Sequence, residues 1–339
     1  MENSEIPKYA TPVHVFTSTG KKYARHPDMI QAIRDGKGRP VSLQVSPTNK
    51  CQIRCQFCSI DERDLSLEWE LEALKEMITI FYKLGIKTVE FSGGGDPTAY
   101  KKLPEIIAFC KGLDLKLGLI TNGIILDRLP RETLESFVWI RISMVTLDYR
   151  GSIKIPQPWP KNTVLGMSYV VGQIDYTGEG RKYTKNDYEG LLKVREYARE
   201  YNADYVRVVH ECLTGNEEKI KEIHEKWIPI VKELGSPLFF QEPKWQEQAH
   251  QCWIDAVKPW IHSDGYLYPC NSVSINASAN RDFDPRWRLC HWTEIEEYYK
   301  NRGSESLQFV KKLCTHCSFT KNNQVIKELL EPLPMQDFV

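Results

Sequence analysis

The chain has 339 residues with 45 basic and 45 acidic side chains, so its formal net charge is zero, and 41% hydrophobic with 27% charged residues mark a globular chain, not a disordered one. That length can bury a barrel-sized core with a smaller domain beside it, and neutrality gives no general pull toward nucleic acid or an anionic membrane. The first residues carry no continuous apolar run and no stretch approaches the ~20 apolar residues of a membrane span; a cytoplasmic, reducing setting is therefore expected, in which ten cysteines ask first for metal ligation or catalysis.

Residues 1–40 read as a polar extension punctuated by Pro and Gly, with one short helix around HPDMIQAIRDG. A strand–helix rhythm starts at VSLQVS (41–46). LEWELEALKEMITIFYKLG has apolar residues at helical spacing and ends on Gly85 as a C-cap. KTVEFSGGG is a strand entering a Gly-rich turn. LPEIIAFCKGL is a helix, LKLGLITNG a strand and turn, RETLESF a short helix, and VWIRISM and LGMSYVV strands. KNDYEGLLKVREYAREYN, ADYVRVVHE and NEEKIKEIHEKWIPIVKELG then give helix, strand and helix. Six strands alternating with helices predict an α/β fold, a parallel sheet of βα units over 41–235. The rhythm stops near FQEPKWQEQAHQCW. Residues 236–339 read as a small α+β domain rich in Cys, Trp and Tyr, with a short strand at GYLYPC and a helix at WTEIEEYYKN.

The motifs fall at predicted strand ends, where βα sheets gather functional groups. After the first strand, SPTNKCQIRCQFCS holds Cys51, Cys55 and Cys58. Three thiolates on one loop can wrap an iron–sulfur cube and leave its fourth iron open, whereas zinc in a structural site takes four closed ligands. A zinc site completed by a distant residue is the alternative. After the second strand, Gly93, Gly94 and Gly95 can be a plain tight turn or a phosphate cradle.

The Cys-x3-Cys-x2-Cys loop, with Phe57 before its third cysteine, resembles the signature of radical S-adenosylmethionine (SAM) enzymes. SGGGDPT (92–98) resembles the family's Gly-Gly-Glu element, which holds the SAM amino group, with Asp96 where Glu is commoner. RIS (141–143) resembles the element that contacts the SAM ribose through Ser143, and Asn122 in TNG is a further carry-over. The resemblance implies a partial (β/α)6 barrel. It also implies a [4Fe–4S] cluster on Cys51, Cys55 and Cys58 and SAM chelated at the open iron. Reductive cleavage of SAM would then give a 5′-deoxyadenosyl radical that takes a hydrogen atom from the substrate. An electron donor such as flavodoxin or ferredoxin is implied as partner.

Cys252 and Cys270 enclose Gly265 in a Cys-x12-Gly-x4-Cys spacing, and Cys314 and Cys317 follow as CTHC. Four thiols in two pairs suit structural zinc. Behind a radical SAM barrel the layout resembles the twitch domain, the shortened SPASM extension, which implies one auxiliary [4Fe–4S] cluster and so two in all. Cys290 in WRLCHW could replace one of the four. Cys110 reads as a buried helix thiol. His210, Glu211 and Cys212 sit at the sixth strand's end, either as a structural strand end or as substrate base and hydrogen donor. Asp148, Tyr149, Gln173, Asp175 and Tyr176 are placed to meet substrate but read first as solvated loop residues. The histidines 262, 291 and 316 are not expected to be ligands, since thiols fill the sites.

Three functions compete. The first is oxidation of a small polar molecule, such as a sugar, cyclitol or nucleotide-like compound, by two electrons with the auxiliary cluster as acceptor. The aminocyclitol dehydrogenases of butirosin biosynthesis have a similar cysteine layout. The second is maturation of ribosomally made peptides. The third is a non-catalytic zinc module, which leaves the order of the motifs unexplained. Epimerisation and dehydration start from the same radical, and Cys212 as hydrogen donor would favour epimerisation.

Overall fold

The computed structural model describes residues 15–55, 57–60, 63–172, 187–213, 217–241, 250–276 and 285–332. The six strands expected from the strand–helix rhythm are realised in one sheet. β1 (Ser42–Val45), β2 (Thr88–Phe91), β3 (Lys116–Thr121), β4 (Phe137–Ser143), β5 (Val164–Val171) and β6 (Tyr205–His210) pair in sequence order, all parallel. The outward side chains Leu43, Val89, Phe91, Leu119, Ile140, Met167 and Val206 are fully buried under the covering helices. Each such side chain contributes roughly 1.5–3 kcal/mol. The other face, with Gln44, Glu90, Arg141 and Arg207, lines the barrel interior.

The covering helices follow the apolar spacing. Leu71–Leu84 buries Leu74, Met77, Ile78 and Phe81, and Gly85 ends it in a left-handed turn (φ 100°) whose N–H bonds back to Phe81 O. The sequence pattern would start this helix four residues earlier. Those residues instead tie the cysteine loop: Trp69 N donates to Pro47 O, and Glu68 pairs with Thr48 as an isolated bridge. Asp148 and Tyr149, read as loop residues, lie on a short helix, Thr146–Arg150, where Asp148 Oδ1 accepts from Tyr169 OH at 3.2 Å. Gln173, Asp175 and Tyr176 lie outside the described residues.

The sheet does not stop with the sixth strand. β7 (Leu238–Phe240) adds in parallel to β6, beyond the expected boundary at 235. At the opposite edge β8 (Trp260–Ile261) pairs in parallel with β1, and β9 (Tyr266–Tyr268) and β10 (Cys290–His291) follow antiparallel, giving ten strands in one sheet. The β8–β9 turn uses Asp264-Gly265, with Gly265 at φ 83°. β9 falls in the short strand expected at GYLYPC, whereas β7, β8 and β10, two or three residues long, carry too short a pattern to be read as strands from sequence.

The N-terminal segment is part of the C-terminal core. Met29, Ile30 and Ile33 of the helix Pro27–Arg34 pack with Cys252, Trp253, Val310, Phe319 and Ile326. Arg34 Nη2 donates to Leu329 O at 2.6 Å, and Asn322 Nδ2 donates to Tyr23 OH at 2.9 Å. Among the described residues no helix is long and apolar enough to cross a membrane.

Candidate active site

The loop leaving β1 carries Cys51, Cys55 and Cys58, all half-buried. Its base is held from three sides. Asn49 N donates to Leu67 O, Asn49 Nδ2 donates to Asp64 O at 3.1 Å, and Asn49 Oδ1 accepts from Ser263 Oγ at 2.9 Å and lies 2.9 Å from His262 Nε2. Two N–H groups point at the sulfurs: Asn122 Nδ2 lies 3.6 Å from Cys51 Sγ and Arg63 Nη1 3.5 Å from Cys58 Sγ. Burial pushes the Cys51 thiol up, as do the Asp96 and Cys58 charges, while the Ile53 N–H and the Arg63 charge pull it down. Sulfurs furnished with N–H donors fit thiolate ligands. Three on one loop fit a cluster with an open position.

The Gly-rich turn packs directly on this loop. Gly94 N donates to Ser46 Oγ at 2.6 Å, Gly95 N to Thr48 O and Asp96 N to Lys50 O, both at 2.8 Å. A Cβ at Gly94 would lie 2.1 Å from Asn49 Oδ1, and one at Gly95 2.0 Å from Lys50 O. Glycine is required here by close approach of two chains, a stronger reason than turn-forming alone. Asp96 is buried, and its carboxylate accepts from Thr98 N, Thr98 Oγ1, Thr121 Oγ1 and Asn122 N. Burial pushes this carboxyl up and the four donors oppose it. Its oxygens thus tie the end of β2 to the end of β3 and orient Asn122. Gly93, Gly94 and Gly95 present backbone at the same rim.

Phe57 packs partly buried against the main core, and its carbonyl lies 3.6 Å from Cys212 Sγ. The sixth strand's end therefore reaches the cysteine loop. His210 Nδ1 lies 3.1 Å from His224 Nε2, and burial with the neighbouring His224 lowers His210 to about 4, so its imidazole is neutral. Glu211 is fully buried and its Oε1 accepts from Leu213 N at 2.6 Å. Ser143 closes β4 opposite Ser168.

The second thiol set assembles. Cys252, Cys270, Cys314 and Cys317 line one small cavity with Ile254, Val273, Val310 and Phe319. Burial pushes Cys252, Cys270 and Cys314 up, and their mutual proximity adds to it. Among the described residues no three His, Cys, Asp or Glu side chains are close enough to hold a metal ion as they stand, and the four thiols share the lining of this one cavity. Cys290 is not among them. It lies on β10, where burial and then Glu294 push it up to about 12. Behind Cys252, the buried Arg302 and Asp255 form a two-armed pair at 2.8 and 2.9 Å, with Tyr298 OH on the same carboxylate at 2.7 Å.

A cavity of about 760 Å³ lies inside the barrel, under the N-terminal segment. Its wall includes His210 and Cys212. It also includes Ser272, Ser318 and Phe319, which line the four-thiol cavity as well. Sequence reasoning passed over several residues of this region. Asn49, Ser263 and His262 brace the first loop, and Arg63 meets Cys58. Arg141 sits inside RIS, where the signal was visible as a charged residue at an inward strand position, but only Ser143 was singled out.

Comparison with known proteins matches residues 45–226 to the model of the radical SAM superfamily, more than half of the chain. A probable GTP 3′,8-cyclase of Pyrococcus abyssi is 35% identical over 117 residues, 34% of this chain and 38% of that protein. The chain thus matches less than half the length of this curated relative. Among solved structures, Streptococcus suis SuiB bound to S-adenosylmethionine aligns with a TM-score of 0.51 at 17% identity, over 87% of this chain and 76% of that one. The anSMEcpe structure with bound AdoMet and Cp18Cys peptide aligns with a TM-score of 0.51 at 14% identity, over 86% of this chain and 96% of that one. These likenesses speak for the fold. The family match runs from the cysteine loop through the Gly-rich turn and β4 to the helix after β6, and the chain belongs to the radical SAM superfamily, enzymes that use a [4Fe–4S] cluster and S-adenosylmethionine.

Proposed function

We propose that this enzyme oxidises a small polar molecule, of the sugar, cyclitol or nucleotide-like kind, by two electrons. Cys51, Cys55 and Cys58 would hold the SAM cluster, and Cys252, Cys270, Cys314 and Cys317 a second [4Fe–4S] cluster. The observation that carries the reading is the position of the barrel cavity, whose wall reaches Cys212 beside Phe57 on one side and the lining of the four-thiol cavity on the other. A substrate there would meet Cys212 at the sixth strand's end and the wall shared with the four-thiol cavity. Its volume lies within the ~300–1,000 Å³ of small-molecule sites, which supports a small substrate over a peptide.

When bound, the first cluster with SAM supplies the 5′-deoxyadenosyl radical that takes a hydrogen atom, and the second supplies an acceptor for the remaining electron. The chain's own groups hold the substrate, exclude water and receive the proton. His210, neutral, and Cys212 line the cavity and are the candidates for that proton; Glu211 does not line it.

The test is iron and sulfide per chain after anaerobic reconstitution. About eight of each is expected for two cubanes. The Cys314→Ala/Cys317→Ala double variant should lose half the iron and keep 5′-deoxyadenosine formation, while Cys55→Ala abolishes the latter. About four irons with zinc on the second site would overturn the oxidation.

A further inference from the structure

Among the described residues, the barrel cavity is lined by five long cationic side chains and one carboxylate, the exposed Lys116 at the start of β3 being one of the five. Arg141 comes from β4, Arg207 from β6, Lys22 from the N-terminal segment and Lys258 from the residues before β8; the carboxylate is Glu90. Glu90 Oε2 lies 3.0 Å from Lys258 Nζ, so that carboxylate has a partner of its own. The guanidinium groups are less well served. Arg207 Nη1 donates to Gln241 Oε1 at 2.9 Å, but Arg207 Nε is buried without a hydrogen-bond partner. Arg141 is 8% exposed, stands 5.4 Å from the Trp139 ring centroid, and its Nε is likewise buried and unpartnered.

A pair built only to brace the barrel would have these N–H groups satisfied by the protein, as buried polar groups generally are. Burial, with Arg141 as the next cause, pushes the Arg207 guanidinium down to about 9, against the smaller opposing pull of Tyr205 and Glu90, so two guanidiniums share one space with a single carboxylate that Lys258 also engages. Planar forks with unpartnered Nε–H groups at a cavity wall match an oxyanion.

We propose that Arg141 and Arg207 bind an oxyanion of the substrate, a carboxylate or a phosphate, inside the barrel, and that the molecule this enzyme acts on is therefore anionic. Arg141 precedes Ser143 by two residues on β4, roughly 7 Å deeper at about 3.3 Å per residue. An anion held there lets the rest of a small molecule extend toward the strand ends, where the cysteine loop stands. This inference rests on the cavity being the substrate site, as argued above.

The test is calorimetric titration of the anaerobically reconstituted full chain, with SAM present, using inorganic phosphate, acetate and, as a neutral control, glycerol. Saturable binding of phosphate or acetate is expected, and none of glycerol. Phosphate alone would mark a phosphate ester and acetate alone a carboxylate. Arg207→Lys, Arg207→Gln and Arg141→Gln should each weaken that binding about tenfold or more, the scale of one charged, two-pronged contact. Unchanged thermal unfolding and visible cluster absorbance would establish that these variants are folded, and the conservative Lys variant serves if the Gln variants are not. Equal affinity in the wild type and folded variants, or no saturable binding of either anion, overturns the proposal. The two readings fail separately: a wild-type chain that forms 5′-deoxyadenosine but binds neither anion keeps the radical chemistry and loses this site. A chain that binds phosphate through Arg207 yet takes up no iron does the reverse.

Discussion

Replacing Gly95 with alanine is the sharpest probe of how the cysteine loop is placed. The added methyl would stand 2.0 Å from Lys50 O, 2.5 Å from Asn49 C and 2.6 Å from Asn49 O. All three are backbone atoms, so no side chain can swing aside, and the chain at 49–50 must retreat by about 1 Å or more to restore van der Waals contact. Cys51 is the next residue. Overpacking of this kind costs about 1–3 kcal/mol, and strain on the 2.8 Å bonds from Gly95 N to Thr48 O and Asp96 N to Lys50 O adds about 1 kcal/mol for each one lost. The sum is about 2–5 kcal/mol, less than the total stability of most domains, so the variant should fold. A reacting group displaced by ~1 Å loses about a hundredfold in rate. Anaerobic reconstitution should therefore give a chain short of iron at the first site, full at the second, with 5′-deoxyadenosine formed about a hundredfold more slowly. Full iron and an unchanged rate would refute the claim that this turn sets the loop.

Two further predictions concern the surroundings of the sites. Asp255→Ala leaves Arg302 buried without its partner, since the two side chains are 0% and 1% exposed; urea unfolding should show a loss of about 3–5 kcal/mol, and a loss below about 1 kcal/mol would contradict the assigned pairing. His210 takes a proton near 6.5 when unfolded but only near 4 when folded, so the unfolded chain binds more protons between those values and stability falls as pH drops through that window. At pH 5 the loss from this group is about 2 kcal/mol, measurable as the difference in urea midpoint between wild type and His210→Asn at pH 7 and pH 5; identical pH slopes for the two proteins would refute it.

Much of the barrel was legible because its signals are local and repeated. Six strands of four to eight residues alternate with helices whose apolar spacing is unambiguous, and Gly85 caps where a glycine was expected. The first thiols fall within eight residues on one loop, so chain connectivity alone brings them together. The second set was legible from its two pairs as a four-thiol site, and its reading as a cluster came only through resemblance, because Cys252 and Cys317 are joined by the fold and not by neighbourhood. What stayed hidden depends on contacts distant in sequence. Nothing local distinguishes His262 from any other histidine, yet it reaches Asn49 across 213 positions. The strands β7, β8 and β10 are two or three residues long and exist because a neighbouring edge offers unpaired backbone. Asp96 was read as a SAM ligand by analogy with Glu, whereas its geometry adds a structural duty: a carboxylate one methylene shorter reaches Thr98, Thr121 and Asn122.

The continuity of the sheet bears on how the two thiol sets, if each holds a cluster as proposed, could work as a pair. Electron transfer to an acceptor needs a fixed spacing, and a domain hung on a linker would not provide one. Here the hairpin that leads to Cys270 is itself an extension of the barrel sheet: β8 pairs with β1, whose next residues carry the first cysteine loop. Trp260 Nε1 lies 3.3 Å from Ser46 Oγ, and Trp69 Nε1 donates to His262 O at 3.1 Å. Ile60, between the first loop and the hairpin, packs with Trp260, Tyr268, Val273 and Trp287, and the half-buried Cys58 and Cys270 border the same small core. The two thiol sets are thus carried on one hydrogen-bonded and packed body. Asn49, at the base of the first cysteine loop, meets His262 and Ser263 of the hairpin directly. That rigidity is what a substrate oxidised from one side and relieved of an electron on the other would require.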